Sequence, residues 1–261
     1  MKKYRFIFVL ALTLVVANTA FSEEVTRGSL SGKWITKNHG AMAGGLVLLF
    51  NTATGPPPTN EGHLRVPDRL FEIGPGGEFS VEVAAGSYYL VMRKGTSRRP
   101  GPPKDGDLFF FSLNEKGQPK TYTVKPGEVT DVGTITEALP FKWAVKPQDG
   151  STTIEGTITD EKGMPVAGAR VLAFPSPLTD GRPLYVSDST GPDGNYVLRI
   201  NEGGTYYLKI RSLYGGGVPE AGEIMGGYGE QAPAAVRVET GKKTTGIDIK
   251  GIRFAGRGPR Q

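Results

Sequence analysis

The chain has 261 residues, 38 of them Gly and 20 Pro, and a formal net charge of +5. About a fifth of its positions therefore break helices and favour turns, which excludes an all-helical protein, while a hydrophobic content of 38% supports packed cores. The absence of Cys excludes disulfides, thiolate metal sites, Cys nucleophiles and an acylated lipoprotein Cys, and the two histidines, His39 and His63, stand in no HxxxH or HxxE spacing that would suggest zinc.

Lys2, Lys3 and Arg5 precede an apolar run from Phe6 to Val16, and small residues then lead through Ala17 to Ser22 into Glu23 and Glu24. This is the charged, apolar and cleavage-region order of a secretory signal peptide, and its apolar run is too short for a bilayer span of about 20 residues. Removing residues 1–22 takes away three cations and no acid, so the net charge falls from +5 to +2. The length suggests two domains. No later apolar run reaches 18 residues, so the sequence predicts no membrane span.

Beyond the leader the same features occur twice in the same order. A first strand carries Gly32 in one copy and Gly156 in the other. A small-residue turn then opens a buried strand, Gly44 to Phe50 and, at the same separation, Gly168 to Phe174. Next, Gly77-Glu78-Phe79 and Gly194-Asn195-Tyr196 each open an alternating strand, followed by Gly86-Ser87-Tyr88-Tyr89 and Gly204-Thr205-Tyr206-Tyr207. Period-two alternation predicts half-buried strands, and the Gly-containing connections predict that the two pair as β-hairpins. A last strand runs from Gly127 to Ile135 and from Gly241 to Ile249. About seven short strands per copy, separated by Gly, Pro, Asn and Asp clusters, predict an all-β chain of two tandem antiparallel β-sandwich domains of Ig-like or prealbumin-like type. The expected boundaries are a signal peptide over 1–22, a divergent sandwich over 23–138, a linker over 139–151, a second sandwich over 152–254 and a basic tail over 255–261. Phe141 and Trp143 in the linker predict a packed junction rather than a free tether.

The second copy resembles the carboxypeptidase regulatory-like domain, a small transthyretin-like β-sandwich, through Gly156-Thr157-Ile158-Thr159-Asp160, Gly163 to Val171, Asp193-Gly194-Asn195-Tyr196 and Gly204 to Ile210. The first copy is more divergent: Lys37-Asn38-His39-Gly40 replaces the acidic turn, and no Pro precedes Gly44. In that family the module is an accessory domain and the zinc peptidase a separate one, so the resemblance implies a binding, spacing or stabilising role in an exported protein. Related bacterial sandwich domains form Lys–Asn isopeptide bonds, for which Lys33 and Asp131 are imaginable partners in the first copy, while the second has no Lys between Thr152 and Thr159.

The acidic pairs Asp160/Glu161 and Asp188/Asp193 fall at predicted turns, where Asp accepts backbone hydrogen bonds, so no catalytic residue is assigned. A basic loop holding Arg93, Lys94, Arg98, Arg99 and Lys104 could meet an acidic polysaccharide, lipid headgroups or an acidic protein face; it lacks the interleaved aromatics of a nucleic-acid surface. Tyr214 and Tyr228 stand among glycines, where they either stack on sugars or fold back over an open sandwich end. The expectation is an exported non-enzymatic binding or structural protein of bacterial type, periplasmic, cell-surface or extracellular, without cofactor or metal, whose partner is a protein or a surface polysaccharide. The alternative is a carbohydrate-binding module using the loop tyrosines.

Overall fold

The structure is a computed structural model that describes residues 26–58, 63–95, 103–142, 150–179, 181–213 and 218–256. The expected signal peptide, Trp143 and the end of the basic tail lie outside the described residues. Among the described residues no helix is long and apolar enough to cross a membrane.

Ten strands come from the first copy: β1 (Arg27–Thr36), β2 (Gly40–Ala41), β3 (Leu46–Asn51), β4 (Arg69–Glu72), β5 (Glu78–Ala84), β6 (Gly86–Lys94), β7 (Leu108–Phe111), β8 (Thr121–Val124), β9 (Val129–Ile135) and β10 (Leu139–Pro140). The second copy supplies β11 (Thr152–Thr159), β12 (Arg170–Phe174), β13 (Tyr185–Val186), β14 (Asn195–Ile200), β15 (Gly204–Arg211), β16 (Ile224–Gly227), β17 (Ala235–Val238), β18 (Lys243–Thr244) and β19 (Ile249–Arg253). The all-β reading and the twofold use of one pattern hold at the level of pairing. β1 lies between antiparallel β5 and parallel β9, as β11 lies between antiparallel β14 and parallel β18 and β19. β6 joins β3 on one side and β7 and β8 on the other, as β15 joins β12, β16 and β17. The first sandwich thus adds one parallel neighbour, and the second two, to an otherwise antiparallel plan.

Alternation puts Phe79, Val81 and Val83 of β5 and Tyr88, Leu90 and Met92 of β6 into one core, with Leu30, Trp34, Val47 and Leu49. In the second sandwich Tyr196, Leu198 and Ile200 meet Tyr206, Leu208 and Ile210 in the same way. The expected hairpins are not hairpins, however. β5 pairs with β1 and β6 with β3, so the short turn at Ala85 carries the chain from one sheet to the other; residues 201–203 likewise join strands that do not pair, β14 on β11 and β15 on β12, at far places in a sheet that β19 makes continuous. The physical reason is visible in the tyrosines: Tyr88 donates its hydroxyl to the carbonyl of Ala84 (2.9 Å) and Tyr206 to that of Glu202 (3.0 Å), bracing the corner so that the two strands face the shared core from opposite sides. Burial raises the pKa of both hydroxyls, which keeps them donors.

The expected linker also begins later than residue 139. β10 pairs with β7, and Phe141 is buried against Phe109 (ring centroids 5.1 Å apart) with Phe50 and Val91, so Phe141 closes the first sandwich. β19 does the same for the second by pairing with β11 and then with β16.

Gly156 faces Tyr196 across the β11–β14 ladder and sits against the carbonyl of Ile247, where a Cβ would fall far inside the 3.0 Å that real contacts respect. Gly181, by contrast, has open space around it. Gly156→Ala should therefore cost about 2–3 kcal/mol in urea unfolding, whereas Gly181→Ala should shift it by no more than about 0.5 kcal/mol.

Candidate functional site

The two loops singled out in the sequence, the basic one and the Gly/Tyr one, leave equivalent strands: the first follows β6 and returns at β7, the second follows β15 and returns at β16. Both return through the same four-residue turn, Lys104-Asp105-Gly106-Asp107 and Glu220-Ala221-Gly222-Glu223. The third residue is Gly because the turn needs a left-handed φ there, +87° at Gly106 and +89° at Gly222. In both turns the amide of the fourth residue donates to the carbonyl of the first, and the fourth side chain accepts from the amide of the first.

That acid is buried and meets an Arg at the end of the preceding strand. Asp107 Oδ2 accepts from Arg93 Nε (2.8 Å) and lies 2.7 Å from Arg93 Nη2. Glu223 accepts from Arg211 Nε through one oxygen and from Nη2 at 2.8 Å through the other, with the Leu213 amide at 3.4 Å. Burial pushes the Glu223 carboxyl up, but the Arg211 hydrogen bonds and charge and the Glu220 and Leu213 amides outweigh it and hold the group below its ordinary 4.5. A final strand locks each turn: Gly106 donates to Phe141 O while Phe141 donates to Asp107 O, and Gly222 and Glu223 are bonded to Phe254 in the same way. Both loops are thus pinned at their bases by one device.

This placement revises the basic patch. Arg93 does not stand on the loop; its guanidinium is consumed by Asp107 beneath it. Lys94 donates Nζ to the carbonyl of Ala43. Lys104 is exposed at the return turn, and Arg98 and Arg99 lie outside the described residues. Tyr214 also lies outside them. Tyr228 is half-buried and packs against the second core, with its amide on Leu208 O and its carbonyl on the Ala234 amide, because it roofs the sandwich beside Tyr196. Lys33 and Asp131 are both exposed, and Asp131 caps the Gly133 amide, so they are not the buried pair that an isopeptide bond requires.

Sequence reasoning missed a third feature, the segment His63–Asp68. It passes between the sandwiches and adds to the edge of the second: Val66 donates to Leu184 O (2.9 Å), Val186 donates to Leu64 O (3.0 Å), and Arg65 stands opposite Tyr185 in antiparallel register. Arg182 Nη1 reaches back to the carbonyls of Pro67 (2.7 Å) and Asp68 (2.6 Å). The Arg65 side chain, 1% exposed, donates to the carbonyls of Gly55 (2.5 Å), Pro56 (3.1 Å) and Asn51 (2.9 Å), to Thr54 Oγ1 and to Asp68 Oδ2 (2.6 Å), and lies over the Phe50 ring. His63, 6% exposed, meets Tyr185 edge to face at 5.5 Å, and Tyr185 meets Tyr206 at 5.9 Å. Burial, with Arg65 adding to it, lowers the His63 pKa from 6.5 to about 4 against a hydrogen bond to Pro56. The available signal was an Arg and a His at alternate positions of an extended, Pro-bounded run, which composition alone reads as a surface loop.

No group of three or more His, Asp or Glu placed to hold a metal occurs among the described residues. No protein-family model matches the chain, and no curated protein matches it. Among solved structures it is similar to a Streptococcal ancillary pilin (14% identity, TM-score 0.26, covering 91% of this chain and 64% of that one) and to the Bacillus anthracis TIE protein (12%, 0.26, 88% and 34%). It is also similar to BcpA, the major pilin subunit of Bacillus cereus (11%, 0.26, 87% and 100%). The chain spans less than two thirds of the length of the first two.

Removing one partner of a buried ion pair strands the other. Arg93→Met should therefore destabilise the first sandwich by about 3–5 kcal/mol, and the double variant Arg93→Met/Asp107→Leu should recover most of that in chemical unfolding. The Glu223 pair contributes stability in full above pH 4.5, and this is lost as the pH falls through the lower folded value, because below 4.5 the unfolded chain binds the proton first. Glu223→Gln should flatten that part of the stability–pH curve measured by urea titration between pH 3 and 6.

Proposed function

We propose that the chain is an exported, non-catalytic structural protein in which two β-sandwiches are held as one unit and present their pinned loops to a protein partner in a surface assembly. The observation that carries this reading is the seam: a strand segment of the first sandwich is built into the sheet of the second and anchored by a buried, multiply bonded Arg65. A flexible pair of binding modules has no need of such a seam; a spacer that must hold two loops at a fixed separation does. In each sandwich the loop leaves from the strand end opposite the seam, since Arg93 lies across from Leu46 while Tyr88 lies across from Asn51, and Arg211 lies across from Arg170 while Tyr207 lies across from Phe174.

The loop residues proposed to meet the partner are Arg98, Arg99 and Lys104 in the first sandwich and Tyr214 in the second. Export rests on the leader over 1–22. The second sandwich is proposed to be a carboxypeptidase regulatory-like module. In support, Asp160 Oδ1 caps the Lys162 and Met164 amides, Pro165 bridges Thr159, and the Gly194 corner precedes the buried Tyr196.

Because the chain has no Cys, spin labels can be placed at will. Labels at Lys116→Cys and Lys162→Cys, both exposed turn positions, should give one narrow inter-label distance by pulsed electron resonance at neutral pH. Arg65→Met should broaden it while leaving the circular dichroism of both sandwiches intact. A broad distribution in the parent protein would sink the spacer reading.

A further inference from the structure

The seam carries a buried histidine that a purely mechanical joint does not need. The Pro56 carbonyl takes the hydrogen bond that His63 makes to the backbone, and Nε2 is buried without a hydrogen-bond partner. Arg65 from its own segment and Tyr185 from β13 act directly on His63. Behind them stand Asp68 and Tyr89 of β6, which act on Arg65; Tyr206 and Glu202 from the corner of the second sandwich, which act on Tyr185; and Arg182 from the connection before β13, which holds the Asp68 carbonyl. The charge that acts on His63 is the Arg65 guanidinium, whose own Nε is also buried without a partner. Asp68 is committed to Arg65 and to the Asn51 amide. The Tyr206 hydroxyl points to the Glu202 carbonyl. A proton added at Nε2 would therefore form a second N–H with no acceptor, on a ring held in a dry site beside a cation.

We propose that His63 is an acid-responsive latch: uptake of a solvent proton at its Nε2 opens the seam, freeing the Leu64–Val66 segment from β13 and uncoupling the two sandwiches. This rests on the spacer reading above, because only a seam that is closed at neutral pH can be opened. The closed form binds the proton more weakly than an open form in which His63 is hydrated. The closed-to-open ratio then falls as the pH drops from 6.5, the ordinary value, toward about 4, the value in the closed seam, by up to about tenfold per pH unit. Opening also uncovers the edge of β13, a short strand able to accept another extended segment.

The test uses the Lys116/Lys162 label pair in the full chain from pH 7.5 to 4. The expected result is a narrow distance at pH 7.5 that broadens between pH 6.5 and 4, with His63→Asn narrow throughout, since Asn retains a donor for Pro56 and does not titrate. A parent distance that stays narrow to pH 4, or a His63→Asn distance that broadens in step with the parent, overturns the latch and leaves the spacer intact; a broad parent distance at pH 7.5 overturns the spacer. Should His63→Asn already be broad at pH 7.5, the imidazole shifts of the parent decide, with His39→Gln assigning the two ring signals. Protonation of His63 that tracks the broadening supports the latch, and protonation at a pH apart from it overturns it.

Discussion

Burying the Arg65 guanidinium sets the terms for everything around it. A cation in a dry site costs several kcal/mol unless its donors and its charge are met, so the chain near it must supply acceptors at fixed positions. The stretch from Asn51 to Pro56 does so. Asn51 caps a short 3-10 turn at Thr52–Thr54, and the carbonyls of Asn51, Gly55 and Pro56 turn toward the guanidinium. Pro56 has no amide hydrogen to satisfy, so its carbonyl can be turned inward without stranding a donor. Asp68 supplies the charge and also takes the Asn51 amide, which ties both ends of the loop together. With the ends of the loop fixed, the backbone groups of Leu64 and Val66 face the edge of β13. Sheet edges must be covered or used, and here the cover for one sandwich is part of the other.

The same chemistry reappears at the far ends of the sandwiches with a different result. A buried Arg–carboxylate pair adds little net stability over well-packed apolar residues, so what Arg93–Asp107 and Arg211–Glu223 decide is geometry. Each acid binds the strand that leaves, the turn that returns and, through its backbone, the closing strand that carries Phe141 or Phe254. Exit, entry and closure are all fixed at the base of each loop, by residues outside its variable middle. One loop can then be rich in Arg, Lys and Pro and the other in Gly and Tyr on the same frame.

Much of this frame was legible in the sequence, and the misreadings share a cause. The strands, the repeat and the Gly-x-aromatic corners are local signals, set by period-two alternation and by glycines at positions where backbones approach closely. Whether two successive strands pair with each other is not local. Phe79 and Tyr88 fit a hairpin and an arch equally well by pattern, and the arch wins because it lets both side chains enter one core from opposite sheets. Arg93 looked like a loop cation because it adjoins Lys94 and precedes Arg98; only the return of the chain at Asp107, across a long insertion, shows that it points at a buried acid. Tyr228 fits an exposed stacking residue and the roof of an open sandwich end equally well by pattern, and the fold supplies the core that it covers. The segment around Arg65 was the least legible, because its partners belong to the other sandwich and no single-copy pattern contains them.

The two sandwiches meet through the same part of the repeated unit. His63–Asp68 lies in the connection between β3 and β4, and Arg182 and Leu184 lie at the end of the matching connection between β12 and β13, where Tyr185 begins β13. Their pairing is antiparallel, so the backbone groups of Leu64 and Val66 exchange hydrogen bonds with those of Leu184 and Val186. The contact is not symmetric: it covers the edge of β13, whereas β4, which holds the matching place in the first sandwich, pairs with β3 alone among the described strands. The seam thus fixes one sandwich edge, and the bases of the two loops, at the opposite strand ends, are fixed instead by their own Arg–carboxylate pairs.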